Sequence, residues 1–342
     1  MISRLMENAT PRSTVRRALI TGGAGFIGSN LADRLVADGI EVVVYDNLST
    51  GRREFIEGLL GRPTAKFVQG DVLDTGTLQS AMDGCDTVFH IAANADVRHG
   101  LEHPRLDLEQ NTLAVSGVLE AMRAAGVSRI VFASTGSVYG EPEVFPTPET
   151  CPFPTQTSLY GTSKLAAEGL ITAYCHGLDF RGVIFRFVSI LGERYTHGHV
   201  YDFYRALRSD PTRLRVLGDG QQEKSYLYVG DCVEGILTGL ESRSEPGCSI
   251  FNLGTDETVR VKDSVAEITR HMGLEPELEY TGGRRGWPGD SPLILLDCSR
   301  LRALGWRPSL SIKEGIHRTL DWLDRNPFVF GDREADVIGA PG

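Results

Sequence analysis

Residues 20–30 read Ile20-Thr21-Gly22-Gly23-Ala24-Gly25-Phe26-Ile27-Gly28-Ser29-Asn30. Gly22, Gly25 and Gly28 punctuate the passage from an apolar run, 18–20, into a helical pattern running from Phe26 to Val36. Residues without Cβ let backbone N–H groups and a helix N-terminus approach a phosphate closely. Glycine turns are common, so the weight comes from the surroundings. A second apolar run, 42–45, ends in Asp46, at roughly the twenty-residue spacing where a carboxylate holds a ribose hydroxyl. Strand patterns at 18–21, 41–45, 65–69, 87–91 and 130–133 alternate with helix patterns at 26–38, 75–83, 106–126 and 160–177. That alternation implies an α/β fold with a doubly wound parallel sheet. Ligands of such sheets gather beyond the carboxyl ends of the strands. The glycine turn, Asp46, Asp71, the segment after His90 and Ser134–Thr135 all fall there.

Bulk properties narrow the classes. The 342 residues carry Lys+Arg 35 against Asp+Glu 45, a net charge of −10 without long blocks of one sign. A nucleic-acid partner is therefore not expected, and a polyanionic ligand must be met by local arginines or helix N-termini. No apolar stretch reaches the ~18 residues of a membrane span. The polar stretch 1–17 lacks the apolar centre of a signal peptide. Six cysteines (85, 151, 175, 232, 248 and 298) include no Cys-x-x-Cys, and read as buried thiols of a reducing compartment. A cytoplasmic location is expected. From about residue 190 the chain becomes richer in Pro, Gly and Arg and closes with a helix pattern at 311–324. The tails 1–14 and 327–342 are expected to fray.

Tyr160 and Lys164 stand four apart in a helix pattern and so share a face. A phenol titrates near ~10. An ammonium beside it favours the phenolate and brings it toward service as a general base. A plain surface pair is the alternative. Thr135, just after a strand, offers a hydroxyl near the same point or simply caps a turn, with Ser134 the runner-up. His197-Gly198-His199 has no third ligand at a useful spacing, so no metal is expected. Trp287 reads as a loop anchor rather than a stacking platform.

The Gly-x-x-Gly-x-x-Gly spacing together with Tyr-x-x-x-Lys resembles the extended short-chain dehydrogenase/reductase family. Within it the chain looks like the nucleotide-sugar 4-epimerases of the UDP-glucose 4-epimerase type. The matching landmarks are Thr21 to Gly28, Asp46 to Gly51, Gly70-Asp71-Val72, His90 to Ala93, Ser134 to Gly140, Tyr160 to Lys164, Lys224 to Val229 and Gly286 to Asp290, in family order over about 16–325. The resemblance implies a Rossmann-like NAD-binding domain over 15–188, to which later segments return. A smaller interleaved C-terminal substrate domain over 189–326 is implied with it. It assigns NAD to Gly22, Gly25, Phe26, Ile27, Asp46, Asn47, Ser49, Thr50, Gly51, Asp71, Val72, Ile91, Ala92, Ala93, Asn111, Ser134, Tyr160 and Lys164. A nucleotide sugar, with UDP-hexose the expected class, falls to Asn94, Thr135, Gly136, Ser137, Tyr160, Ser189, His199, Val200, Tyr201, Leu217, Lys224, Tyr226, Arg284 or Arg285, and Asp290. A homodimer through the helices at 106–126 and 160–177 is implied as well.

By the same resemblance Thr135, Tyr160 and Lys164 are catalytic. Tyr160 takes the proton of the C4 hydroxyl, Thr135 bridges that oxygen to the phenol, and Lys164 also reaches the nicotinamide ribose. The positive nicotinamide adds to the pull on the phenol. Ser189 departs from the usual Asn, and Lys224 stands where an Arg is frequent. Ile294 replaces a Tyr that restricts some epimerases to unsubstituted hexoses. The family's 4,6-dehydratases carry Asp-Glu directly after the threonine, and its UDP-glucuronate decarboxylases usually a Glu. Here Gly136-Ser137 follows. Elimination across C5–C6 needs a base and an acid there, so epimerisation is favoured over a decarboxylase or dehydratase. A non-catalytic NAD-binding regulator is the third reading, opposed by the joint presence of Thr135, Tyr160 and Lys164.

Overall fold

Apolar and β-branched runs favour pleated, buried strands, and seven of them form the central sheet. They are β1 (Arg17–Thr21), β2 (Glu41–Asp46), β3 (Ala65–Gln69), β4 (Thr87–His90), β5 (Arg129–Thr135), β6 (Arg181–Phe187) and a final strand, Gly247–Leu253. The computed structural model describes residues 15–331, except 154, 243–244, 288–289 and 292. All pairings in the sheet are parallel, in the order Gly247–Leu253, β6, β5, β4, β1, β2, β3. The winding reverses between β1 and β4, which opens a crevice at their carboxyl ends. Alternate residues serve opposite faces. Ile20, Val44, Phe89 and Val131 belong to one buried cluster, whereas Leu19, Val43, Val88 and Ile130 belong to the other. Helices cover both faces, so these strands read as unbroken apolar runs.

The chain beyond β6 adds short ladders around the crevice. Ser189–Leu191 pairs in parallel with Tyr226–Tyr228. Glu223–Lys224 lies between Val259–Arg260 and Leu293–Ile294. Arg213–Val216 pairs with Glu277–Tyr280.

Two expectations need correction. The helix anticipated over 106–126 consists of a turn, Pro104–Asp107, a π-helical stretch, Leu108–Leu113, and an α-helix, Ala114–Ala125, ended by Gly126 at φ 72. Periodicity near 3.6 does not register one widened turn, and this one carries the buried Asn111. The tail expected to fray from 327 instead docks as a 3₁₀ turn, Pro327–Phe330. The Val329 side chain is buried, and its carbonyl accepts from Arg52 Nη2 and Tyr201 Oη, each at 3.0 Å. Phe330 stacks on Tyr201 with centroids 5.2 Å apart. The remaining tail residues, 1–14 and 332–342, lie outside the described residues. The helix anticipated at 160–177 runs Leu159–Gly177, with Ser158 Oγ accepting from Gly161 N at 2.9 Å as its N-cap. Among the described residues, no helix is long and apolar enough to cross a membrane.

Candidate functional site

The glycine turn leaves β1 at Gly22, whose φ of +66° suits glycine. A Cβ there would stand 2.7 Å from Ala92 N, and one on Gly28 would drive into the Gly22 carbonyl oxygen. Helix α1 (Phe26–Ala37) therefore starts against the sheet. Its N-cap is Gly25, without a capping side chain, and no acid occupies the first turn. That leaves a positive helix end suited to an anion. At the end of β2, Asp46 is buried; Oδ2 accepts from Ala24 N at 3.0 Å and Oδ1 from Leu48 N at 2.8 Å. Gly51 packs against the same carboxylate. The Cβ-free turn, the open helix end and the adjacent carboxylate fit a dinucleotide.

These elements border a cleft of about 310 Å³. Of the residues anticipated from sequence, Gly22, Gly25, Phe26, Ile27, Asp46, Thr50, Ile91, Ala92, Ala93, Ser134, Thr135, Gly136, Ser137, Tyr160 and Ser189 line it. Gly28, Ala95, Val97, Phe187, Val188, Ile190, His197 and Ile294 line it too. Phe187, Val188 and Ile190 give no sequence signal, because an apolar residue facing a ligand has the pattern of one facing the core. Asn47, Ser49, Gly51, Asp71, Val72, Asn94, Asn111 and Lys164 are not part of that lining. Asn47 Nδ2 donates to Asp71 Oδ2 at 2.9 Å, and Asn47 Oδ1 accepts from Ser49 N at 2.9 Å. The Val72 side chain packs in the core. Asn111 Oδ1 accepts from Asn94 N at 3.0 Å, and its Nδ2 donates to Asn94 O at 3.1 Å and Ser163 Oγ at 3.1 Å. Asn94 Nδ2 donates to Asp107 Oδ1 at 2.8 Å. Sequence reasoning missed Asp107, a buried carboxylate that reads as an ordinary polar position on a helix.

Tyr160 and Thr135 both line the cleft, and the Thr135 hydroxyl donates to Ser137 Oγ at 3.2 Å. Thr135 Oγ1 also accepts from Ser137 N at 3.1 Å. The Ser134 hydroxyl is engaged elsewhere, donating to Glu168 Oε1 at 2.5 Å, which leaves Thr135 the better placed of the two. Lys164 is 2% exposed; its Nζ donates to Ala133 O at 2.8 Å and sits 4.7 Å from the centre of the Phe132 ring. Burial dominates the electrostatics. It raises the phenol of Tyr160 to about 12, the Thr135 hydroxyl opposing and Asp107 adding to the rise. It lowers Lys164 to about 7, with Glu168 and Asp107 opposing. The expected phenolate-favouring effect of Lys164 is thus outweighed in the protein alone, because burial disfavours both charged forms.

A second cavity, about 260 Å³, is lined by His199, Leu217, Lys224, Tyr226 and Asp290 from the anticipated set, joined by Phe203, Gln222 and Trp287. Trp287, read from sequence as an anchor, presents its ring here. The cavities adjoin where Ile294, lining the first, pairs with Lys224, lining the second. His197 and His199 line different cavities. Lys224 Nζ pairs with Asp290 Oδ1 at 2.6 Å, and Arg285 pairs with Glu141, so both cations are engaged by carboxylates. Tyr226 Oη and His199 Nδ1 are 2.6 Å apart, and burial pushes the His199 imidazole down to about 3, keeping it neutral. Val200 and Tyr201 depart from expectation: both side chains are buried in the core, Val200 at 0% and Tyr201 at 6% exposure. Successive residues of the His199–Ser209 helix point about 100° apart, which turns these two toward the core.

Comparison with known proteins agrees with this geometry. The family model described as NAD dependent epimerase/dehydratase family matches residues 18–254. The chain is 34% identical to a putative UDP-glucose 4-epimerase of Methanocaldococcus jannaschii over 90% of its length and 98% of that protein. Among solved structures, a UDP-galactose 4-epimerase superposes with a TM-score of 0.81 at 38% identity, covering 91% of this chain and 99% of that one. A UDP-glucose 4-epimerase from Thermus thermophilus in complex with NAD superposes with a TM-score of 0.80 at 36% identity, covering 90% and 99%.

Proposed function

This chain belongs to the NAD dependent epimerase/dehydratase family, and from that premise we propose that it is a nucleotide-sugar 4-epimerase acting on a UDP-hexose. The observation that carries the reading is that Thr135 and Tyr160 line one cleft, with Gly136 and Ser137 following the threonine. Among the described lining residues, the ionisable side chains are Asp46, Tyr160 and His197, and Asp46 is tied into the glycine turn. One base at C4 suffices for epimerisation, whereas elimination needs an acid and a base across C5–C6.

NAD, when bound, supplies hydride acceptance from C4 and its return to the opposite face of a transient 4-keto sugar. The open end of α1 would hold its pyrophosphate and Asp46 its ribose diol, which would disfavour a 2′-phosphate. Tyr160 takes the C4 hydroxyl proton as the ketone forms and gives it back as the alcohol is restored. Thr135 orients that oxygen toward the phenol. Lys164 supports the phenolate from below. The second cavity receives the nucleotide. Two copies pair through the Leu108–Leu113, Ala114–Ala125 and Leu159–Gly177 segments, and the protein works in the cytoplasm.

The test is to purify the protein without added cofactor and incubate it with UDP-, dTDP-, GDP- and ADP-sugars. Inversion at C4, bound NAD(H) in excess of NADP(H) and no solvent deuterium at C5 are expected. Deuterium at C5, or release of water or CO₂, would move the protein to the dehydratase or decarboxylase branch.

A further inference from the structure

Glu168 lies one helical turn beyond Lys164, so Tyr160, Lys164 and Glu168 follow one another along a single face of the Leu159–Gly177 helix. It is 3% exposed. Its Oε1 accepts from Ser134 Oγ at 2.5 Å and Arg186 Nε at 3.0 Å, and its Oε2 accepts from Arg186 Nη2 at 2.6 Å. Arg186, on β6 and 2% exposed, also donates to Tyr139 Oη at 2.8 Å. Tyr139 in turn donates to Asn252 Oδ1 at 2.8 Å on the strand Gly247–Leu253. Two charges this deeply buried are a poor way to gain stability, since an apolar pair of similar volume often does as well or better. Their position suggests another use, because the carboxylate stands between the cleft-lining Ser134 and the turn that carries Lys164.

We propose that Glu168 is a positioning residue for the Tyr160–Lys164 pair: it holds Lys164 as an ammonium beneath the cleft, while Arg186 and Ser134 fix where its charge sits. The proposal rests on reading Tyr160 and Lys164 as the acid–base pair. The groups around Lys164 are the Ala133 carbonyl and Phe132 ring of β5, His90 of β4, Asp107 of the Pro104–Asp107 turn and Glu168 of its own helix, with the Arg186 cation of β6 paired to Glu168. His90 is kept neutral by burial. Asp107 is committed to Asn94 and Asn111. Glu168 is the foremost anion working against the burial of Lys164. Without it burial would act on the amine with less opposition, and a phenolate at Tyr160 would lose part of its neighbouring positive charge.

The chain has five lysines, so ¹⁵N-lysine NMR, assigned with Lys164→Met, can follow the Lys164 Nζ through a pH titration of the folded protein. In Glu168→Gln its midpoint is expected to fall by about one pH unit or more, a tenfold change in neutral amine. Glu168→Asp, which keeps the charge, is expected to restore most of the difference. If the single variant misfolds, Glu168→Gln/Arg186→Met, which leaves no orphaned guanidinium, is compared with Arg186→Met, so that the carboxylate is the one charge that differs between them. The alkaline limb of the kcat profile should move down with the Nζ midpoint. A midpoint unchanged in a folded variant, even with a lowered melting temperature, overturns the proposal and leaves Glu168 a structural residue. Wild-type protein that turns over no sugar nucleotide, while its Lys164 midpoint still follows Glu168, instead overturns the acid–base reading on which the proposal stands.

Discussion

At Tyr160 and Lys164, burial and charge contend within one helical turn. Each side chain is held toward its neutral form, so a cation arriving over the phenol would have a large effect on its ionisation. Tyr160→Phe removes one hydroxyl with little change of shape. Turnover is expected to fall by ~10²–10⁴-fold, with NAD content and calorimetric affinity for the sugar nucleotide retained. Thr135→Ala should cost less, since water can replace part of its hydroxyl. Wild-type turnover in the Phe variant would remove Tyr160 as the base. His90 makes a separate prediction. Its Nδ1 lies 2.7 Å from Thr21 Oγ1, and burial pushes the imidazole down to about 3 from its ordinary value of 6.5. The unfolded chain binds a proton in that window which the fold refuses, so stability should decline as pH falls from about 6.5 toward 3. His199 acts in the same direction. Urea midpoints measured from pH 7 to pH 4 should fall less steeply for His90→Gln than for the wild type; equal slopes would exclude His90 as a contributor.

Among the elements, α1 and the closing helix respond to small changes for different reasons. A methyl on Gly28 meets the Gly22 carbonyl, which is backbone and has nowhere to yield. Gly28→Ala is expected to open the turn and lose bound NAD on purification, with stability falling by the ~1–3 kcal/mol of an overpacked site. Full NAD content in that variant would mean that the turn tolerates displacement. The Ile312–Arg325 helix begins with a reciprocal capping box between Ser311 and Glu314. Ser311→Ala should cost about 1 kcal/mol, visible in thermal melts, with NAD content unchanged. These two sites were readable from sequence to different degrees. Glycine spacing reports backbone approach directly, so the turn and Asp46 were legible. The π-helical stretch was not, because one wider turn hardly disturbs a hydrophobic period. Nor were Asp107, Glu168 and Arg186, whose residue types are usually exposed and whose burial depends on partners far along the chain. The docked Pro327–Phe330 turn was not legible, because four residues of 3₁₀ turn carry no period that marks them as packed.

For the whole molecule, alternating apolar runs indicated a doubly wound parallel sheet and five of its seven strands, while the small ladders after β6 depend on pairings of two to four residues that leave too little pattern to read. Those ladders bring Ser189, Lys224, Tyr226 and Ile294 around the cleft and the second cavity, so this grouping was legible mainly through family likeness. The remaining question at this scale is assembly. Leu108 is 50% exposed, Leu113 51% and Leu159 40%, on segments that pack against one another. Exposed leucines grouped on neighbouring helices are a common mark of an interface, and a self-complementary patch closes by two-fold symmetry. A stable pair needs roughly 1,200–2,000 Å² of buried surface, an area that two helical segments per protomer can supply. Light scattering at micromolar concentration is expected to give twice the chain mass of 37.4 kDa. Leu108→Glu/Leu113→Glu should yield monomers, because the introduced carboxylates would face their symmetry mates across a desolvated surface. NAD content and C4 inversion should survive in part, since neither leucine lines the cleft. A monomer mass for the wild type, or a dimer that withstands both glutamates, would place any interface elsewhere.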